Sequence, residues 1–293
     1  RPAAAAFLTM MAMALTSSTL SFFLEPICAH LDISRGSFSL IFSLMSVSGA
    51  LLNPYLGQLA GKKGVRGILL VTGLWTGACM FLLSMVGSLW MFYLAGFLMG
   101  AMSSTCVALC ANVIVQQSYF GPQASGILGG VMAGSGVGGM IFSILIPSCM
   151  VNFGWQRAMQ VMGILWLALL WLAALLLGKQ SGIQGGRGNG AVGLGMTRAE
   201  ALKSPKLYLQ MMVIVIITAC CGIQQQLPSL LHAQGYDSSR VSVMISVMTA
   251  FLAVGKVIQG LIYAKLGICR GGSLLLMAFA VSFLTLIVPS LAW

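Results

Sequence analysis

Long apolar segments separated by short polar ones dominate the hydrophobic pattern of the chain. A transmembrane helix needs about 20 mainly apolar residues, and nine segments meet this requirement. We number them as spans 1 to 9: residues 3–28, 37–60, 67–86, 89–114, 124–151, 158–177, 207–231, 241–263 and 273–293. The pattern predicts an all-α membrane protein, because a bilayer admits only backbones that satisfy their own hydrogen bonds.

The composition excludes a soluble globular domain and a disordered chain. Charged residues make up 6% of the 293 residues and hydrophobic residues 59%, and the mean hydropathy is +0.99. A soluble domain is about 25% charged, and a disordered chain needs low hydrophobicity. The net charge of +11 does not indicate a nucleic-acid partner, since long apolar runs separate the few basic residues.

Basic residues are concentrated in every second loop. One set of loops contains ten of them: Lys62, Lys63, Arg66, Lys179, Arg187, Arg198, Lys203, Lys206, Lys265 and Arg270. The other set contains Arg35, Arg157 and Arg240. The positive-inside rule makes the first set cytoplasmic. We therefore expect an integral multi-pass protein of a bacterial plasma (inner) membrane with a cytoplasmic N-terminus.

The stretch 178–206 differs from the segments around it. It is rich in glycine and basic residues and has no apolar period, which is typical of a flexible linker. We therefore predict a six-helix bundle over 1–177, a cytoplasmic linker over 178–206, and the first three helices of a second bundle over 207–293.

An internal repeat relates the loops that follow spans 2 and 8. Gly57 and Gly260, Lys62 and Lys265, and Gly64 and Gly267 are each 203 residues apart. Both loops follow the second span of their bundle. This arrangement indicates a parallel repeat of a six-span unit, which is found in one large class of transporters.

The first of these loops reads Gly57-Gln-Leu-Ala-Gly-Lys-Lys-Gly-Val-Arg66. It resembles the cytoplasmic signature loop of the major facilitator superfamily, G-x-L-A-D-R-x-G-x-R, with Gly61 at the acidic position. The segment 119–157 is similar to the oxalate/formate antiporter and monocarboxylate porter branch. The resemblance implies a role in gating for the signature-loop residues Gly57, Lys62, Gly64, Arg66, Gly260, Lys265 and Gly267.

The resemblance also implies a helical bundle of twelve spans and secondary transport. Nine spans are present, so we expect a fragment: a complete N-terminal half and a C-terminal half that ends after about three spans.

Lys256 interrupts the apolar run of span 8. It lies nine residues before Lys265, about 14 Å deeper at ~1.5 Å per residue. A charge at that depth normally faces a cavity or a partner, and no acidic residue of the sequence lies at similar depth. A bound anion is one interpretation, and snorkelling towards the cytoplasmic face is the other.

The resemblance favours the anion. In the antiporter and monocarboxylate branch, a basic residue four positions before the loop glycine of span 8 contacts the substrate carboxylate, and Lys256 stands four before Gly260. Asn53 lies 203 residues before Lys256, so the repeat gives it the equivalent position in span 2. We expect it either to line the cavity opposite the lysine as a neutral hydrogen-bonding group or to pack between helices.

Span 7 contains the amides Gln224, Gln225 and Gln226. Consecutive helical residues point about 100° apart, so two at most face one cavity. We predict Gln224 and Gln225 as substrate-binding residues; the alternative is that the amides lie at the outer membrane interface.

Span 5 contains Gly126, Gly130, Gly134 and Gly138, four residues apart on one helix face. Such a stripe allows helix backbones to approach closely. We predict that it forms the interface between the two bundles. Such a stripe is compatible both with static packing and with sliding of one bundle along the other.

These features predict a secondary active transporter of small organic anions, mono- or dicarboxylates, that works by alternating access and antiport. The alternative is a transporter-like membrane sensor that binds a small anion without moving it. Catalytic and metal-binding motifs are absent from the sequence, so we expect no enzyme activity, catalytic residue, metal or cofactor. The expected partners are the anion and membrane lipid, the expected state is a monomer, and no nucleic acid is expected to bind.

Overall fold

The computed structural model of the protein describes residues 1–118, 122–177 and 203–287. Helices run over Pro2–Ser17, Leu20–Phe23 (a 3-10 turn), Leu24–Leu31, Arg35–Lys63, Val65–Ser84, Leu89–Ala101, Ser104–Ser118, Pro122–Met132, Gly134–Phe153, Trp155–Leu176, Pro205–Ala233 and Ser238–Ile287, the last of which is broken by a turn at Gly267. The all-helical architecture that the hydrophobic pattern predicts is confirmed.

Six helical segments of the described residues are long and apolar enough to cross a bilayer: Pro2–Leu31, Arg35–Asn53, Val65–Ser84, Gly126–Phe153, Trp155–Leu176 and Ser239–Gly267. They correspond to spans 1, 2, 3, 5, 6 and 8. Shorter apolar helices occur within span 4, at Leu89–Ala101 and Val107–Gln116, and within span 7, at Leu207–Ile216. Span 9 continues past residue 287 and so lies partly outside the described residues.

Spans 1, 4 and 5 are interrupted where the apolar pattern predicts continuous helices. In span 1, Thr16 Oγ1 and Ser17 Oγ both donate to the Met13 carbonyl, and Thr19 Oγ1 donates to the Leu15 carbonyl. Hydroxyl groups that bond to nearby carbonyls compete with the helical hydrogen bonds. The helix accordingly ends at Ser17 and resumes through the 3-10 turn Leu20–Phe23.

The internal repeat is visible in the turns that join spans 1 and 2 and spans 7 and 8. Asp32 and Gly235, 203 residues apart, both have a positive φ, 51° and 89°. The Ile33 amide donates to the Cys28 carbonyl, and the Tyr236 amide donates to the Leu231 carbonyl. In both turns the amide lies five residues after the carbonyl, which is the spacing of a helix C-cap that ends on a left-handed residue. The two turns therefore have the same hydrogen-bond pattern.

A second type of turn follows spans 2, 5 and 8. Gly64, Gly154 and Gly267 have φ of 84°, 84° and 73° with ψ of 154°, 161° and 174°. This region of backbone space is essentially restricted to glycine. Gly64 and Gly267 are the paired glycines of the sequence repeat, and Gly154 adds a third copy between spans 5 and 6.

Span 1 lies at the centre of the first six spans, where it packs on spans 4, 5 and 6, while span 3 packs along span 6. Glycines permit close helix contacts here: a methyl group on Gly77 would lie 3.3 Å from the Gly163 carbonyl oxygen. The outward faces remain apolar, with Trp90 83% exposed and Val151 78% exposed. An exposed apolar surface of this extent suits contact with lipid rather than water.

The turn conformation makes a stability prediction. We expect Gly64→Ala to lower the free energy of unfolding by about 1–3 kcal/mol, because a Cβ is strained at this φ and ψ. Gly67→Ala is the matched control: Gly67 lies in the helix Val65–Ser84 with no heavy atom within 4 Å of an added methyl group. Alanine there should be neutral or stabilising by up to about 1 kcal/mol. The unfolding midpoints of the two variants in detergent test this prediction. Equal midpoints would contradict the glycine-restricted backbone conformation of Gly64.

Candidate functional site in the contact between spans 5 and 8

Lys256 lies in span 8 and reaches across to span 5. Its ammonium Nζ donates to Ser135 Oγ at 2.5 Å. Ser135 is 5% exposed, and its hydroxyl donates in turn to the Met132 carbonyl at 2.9 Å. The lysine is therefore held at the contact between the two spans, by a neutral acceptor.

A cavity of about 470 Å³ adjoins this lysine. It is lined by Leu128, Gly129, Met132, Lys256, Gln259, Gly260 and Tyr263. Its volume is within the range of small-molecule sites, about 300–1,000 Å³. Across the described residues, no carboxylate lies within ion-pair distance of Lys256, so the cavity presents a cation that has no counter-ion among them.

Two polar residues of this cavity, Gln259 and Tyr263, were missed by the sequence analysis. They follow Lys256 by three and seven residues, and Gly260 follows it by four. Residues at these spacings share one face of a helix. The periodicity around Lys256 could therefore have identified them. An ammonium, an amide and a phenol supply hydrogen-bond donors beside the apolar wall formed by Leu128 and Met132.

Glycines bring the backbones of spans 5 and 8 together beside the lysine. A methyl group on Gly129 would lie 2.7 Å from the Gly260 Cα, and one on Gly136 would lie 2.5 Å from the Ala253 backbone nitrogen. A methyl group on Gly139 would lie 2.9 Å from the side-chain Cγ2 of Thr249. Ser246 Oγ adds a hydrogen bond across the contact, to the Met140 carbonyl at 2.9 Å.

These glycines differ from the predicted stripe. Gly134 and Gly138 face span 1, since added methyl groups would lie 2.6 Å from the Phe7 and Met11 carbonyl oxygens. Gly126 and Gly130 have no heavy atom within 4 Å of an added methyl group. The interface prediction is corrected for Gly134 and Gly138, which pack on span 1, whereas Gly129, Gly136 and Gly139 of the same span meet span 8.

The structure does not bring Asn53 to the cavity. Asn53 is half-buried in span 2, which packs mainly on span 4, and the described lining of the cavity does not include it. Gln224 and Gln225 lie within the helix Pro205–Ala233, but their side chains are outside the described residues. The predicted roles of all three remain predictions.

The signature-loop residues occupy several positions. Gly64 and Gly267 form the turns described above, and Gly260 lines the cavity. Arg66 is half-buried, and Lys265 is exposed. Gly57 and Lys62 lie in the helix Arg35–Lys63; the burial of Gly57 and the side chain of Lys62 lie outside what the structure describes.

A second cavity, of about 420 Å³, opens at the other end of the same spans. Its lining includes Ser21 and Glu25 from span 1, Pro147 from span 5, His232 from span 7 and Ser242 from span 8. Glu25 Oε1 accepts a hydrogen bond from Arg35 Nη2 at 3.4 Å. The tight contacts at Gly136 and Gly139 lie between the two cavities along span 5.

The family model of the major facilitator superfamily matches residues 5–293. The chain belongs to the major facilitator superfamily. It is therefore an integral multi-pass membrane protein of a transporter superfamily, not of an enzyme family, and the predicted helical fold and superfamily are confirmed.

A relative within the superfamily is the uncharacterized MFS-type transporter YhjX of Escherichia coli (strain K12). It is 23% identical over 261 residues, which cover 86% of the present chain. The match covers 63% of the length of YhjX, so the chain spans about 63% of that relative.

The glycine contact between spans 5 and 8 makes a second prediction. We expect Gly136→Ala to destabilise the protein by about 1–3 kcal/mol, the usual cost of overpacking, because the methyl group meets the backbone of Ala253. Gly126→Ala, in the same span but facing open space, should leave the unfolding midpoint in detergent unchanged or slightly raised. If Gly136→Ala were tolerated as well as Gly126→Ala, the described contact would be incorrect.

Proposed function

We propose that the protein is a secondary active transporter of small organic anions, mono- or dicarboxylates, and that Lys256 binds the carboxylate. The observation that carries the proposal is a half-buried ammonium, without a described carboxylate partner, on the wall of a cavity between spans 5 and 8. The superfamily supports transport, and the chemistry of the cavity supports an anionic substrate.

The cost of the buried charge supports an anion. A lysine at the bilayer centre costs about 2.5–3.5 kcal/mol on insertion scales. Ser135 supplies one hydrogen-bond acceptor but no charge, and the lysine ammonium has three donors. A carboxylate in the cavity would supply both the charge and further acceptors.

The two cavities support alternating access. One contains Lys256 and continues towards the basic end of span 8, and the other contains Glu25 and His232 at the opposite end. The tight contact at Gly136 and Gly139 separates them. Small residues allow two helices to rock or slide while their backbones stay close. Such motion would open each cavity in turn.

We assign antiport as the mode of coupling. Glu25, Asp32 and Asp237 lie at the outer ends of the spans, and Glu200 lies in the stretch 178–206. Exchange of one anion for another needs no proton carrier near the site, and the sequence supplies no acidic residue at the depth of Lys256.

The remaining assignments extend this proposal. Asn53, Gln224 and Gln225 complete the substrate pathway in other arrangements of the spans, and the signature loops act in gating. The first six spans and spans 7 to 9 move as two bodies joined by the stretch 178–206. The protein is a monomer of the oxalate/formate antiporter and monocarboxylate porter branch, in a bacterial plasma membrane with its N-terminus in the cytoplasm.

A charge-removing substitution tests the proposal. We expect Lys256→Gln to raise the KM for radiolabelled formate, lactate or oxalate by about 30-fold or more, because loss of one partner of a desolvated charge pair costs about 2–5 kcal/mol. Lys256→Arg should retain part of the affinity, since it keeps the charge but changes the donor geometry. Uptake and counterflow are measured in cells that express the natural protein.

Lys203→Gln is the matched control for this experiment. It removes one positive charge from an exposed residue just before span 7, so we expect the KM to stay at the wild-type value. The comparison uses whichever of the three acids the protein transports. If Lys256→Gln had the same KM as the wild type for that acid, the assigned role of Lys256 would be refuted.

A further inference from the structure

Ser135 has a fixed orientation beside Lys256. Its hydroxyl proton points to the Met132 carbonyl, so its oxygen lone pairs are left to accept from the lysine ammonium. The residue is 5% exposed and belongs to the helix Gly134–Phe153. Ser135 is therefore a preorganised acceptor rather than a freely rotating surface hydroxyl.

Lys256 needs such an acceptor to remain where it is. A lysine side chain has a flexible four-carbon stem, and the basic end of span 8, at Lys265, is nine residues away. Lysines within membranes snorkel towards the closer interface when nothing holds them. The bond to Ser135 opposes this movement and keeps the ammonium at the wall of the cavity.

We propose that Ser135 is the positioning residue for the substrate-binding lysine. It holds one N–H of the ammonium against span 5 and leaves the other two available to a carboxylate in the cavity. This inference rests on the proposed role of Lys256. It assigns to span 5 a direct part in substrate affinity, in addition to its packing against span 8.

Uptake kinetics test the inference. We expect Ser135→Ala to raise the KM for the transported acid among radiolabelled formate, lactate and oxalate by roughly tenfold, the effect of a lost hydrogen bond to a charged group. The maximal rate should stay within about twofold of wild type, since this bond contributes to binding rather than to the transport step. Ser135→Thr keeps the hydroxyl and should restore most of the affinity.

Ser246→Ala is the control for the loss of a hydrogen bond across the same contact. Ser246 bonds to the Met140 carbonyl, so its removal weakens the contact without affecting Lys256, and the KM should be unchanged. Unfolding midpoints in detergent verify that each variant is folded.

The outcomes separate the two proposals. If Lys256→Gln raises the KM and Ser135→Ala does not, the positioning role is wrong and the role of Lys256 stands. If Ser135→Thr transports no better than Ser135→Ala, the positioning role is also wrong. A wild-type KM in Lys256→Gln overturns both.

Discussion

The close approach of spans 5 and 8 is the constraint on which the site depends. Glycines at 129, 136 and 139 let the two backbones come within reach of one another, so that Lys256 on one span meets Ser135 on the other. Lipid supplies no hydrophobic force between helices, and association relies on van der Waals packing and interhelical hydrogen bonds. Larger side chains at these positions would separate the spans and remove the acceptor from the lysine.

The spans and their turns could be predicted from the sequence, because bilayer thickness imposes a long apolar pattern and the turns carry glycine or a capping residue. The breaks could not be predicted from hydropathy. The hydroxyls of Thr16, Ser17 and Thr19 bond to carbonyls of their own helix, a local competition that an average over some twenty residues does not detect.

The candidate site was only partly predictable, for a geometric reason. Lys256 is identifiable because a lone charge within an apolar segment is costly. The glycines of span 5 occupy more than one side of the helix, and their spacing does not reveal which side faces which neighbour. The predicted stripe includes Gly134 and Gly138, which pack on span 1, whereas Gly136 and Gly139 meet span 8.

The neutral partner of Lys256 makes membrane voltage relevant to the resting protein. Moving one elementary charge across a membrane is worth about 2.3 kcal/mol per 100 mV. In the proposed transporter, an empty site carries the charge of the ammonium, whereas a site filled by a monovalent carboxylate is electrically neutral. A potential that is negative inside would therefore bias the empty protein towards the arrangement in which the lysine sees the cytoplasm, and would leave the filled protein nearly unaffected. A divalent anion would reverse the sign of the bias on the filled protein, so the electrical response of such a transporter would report the charge of the transported anion.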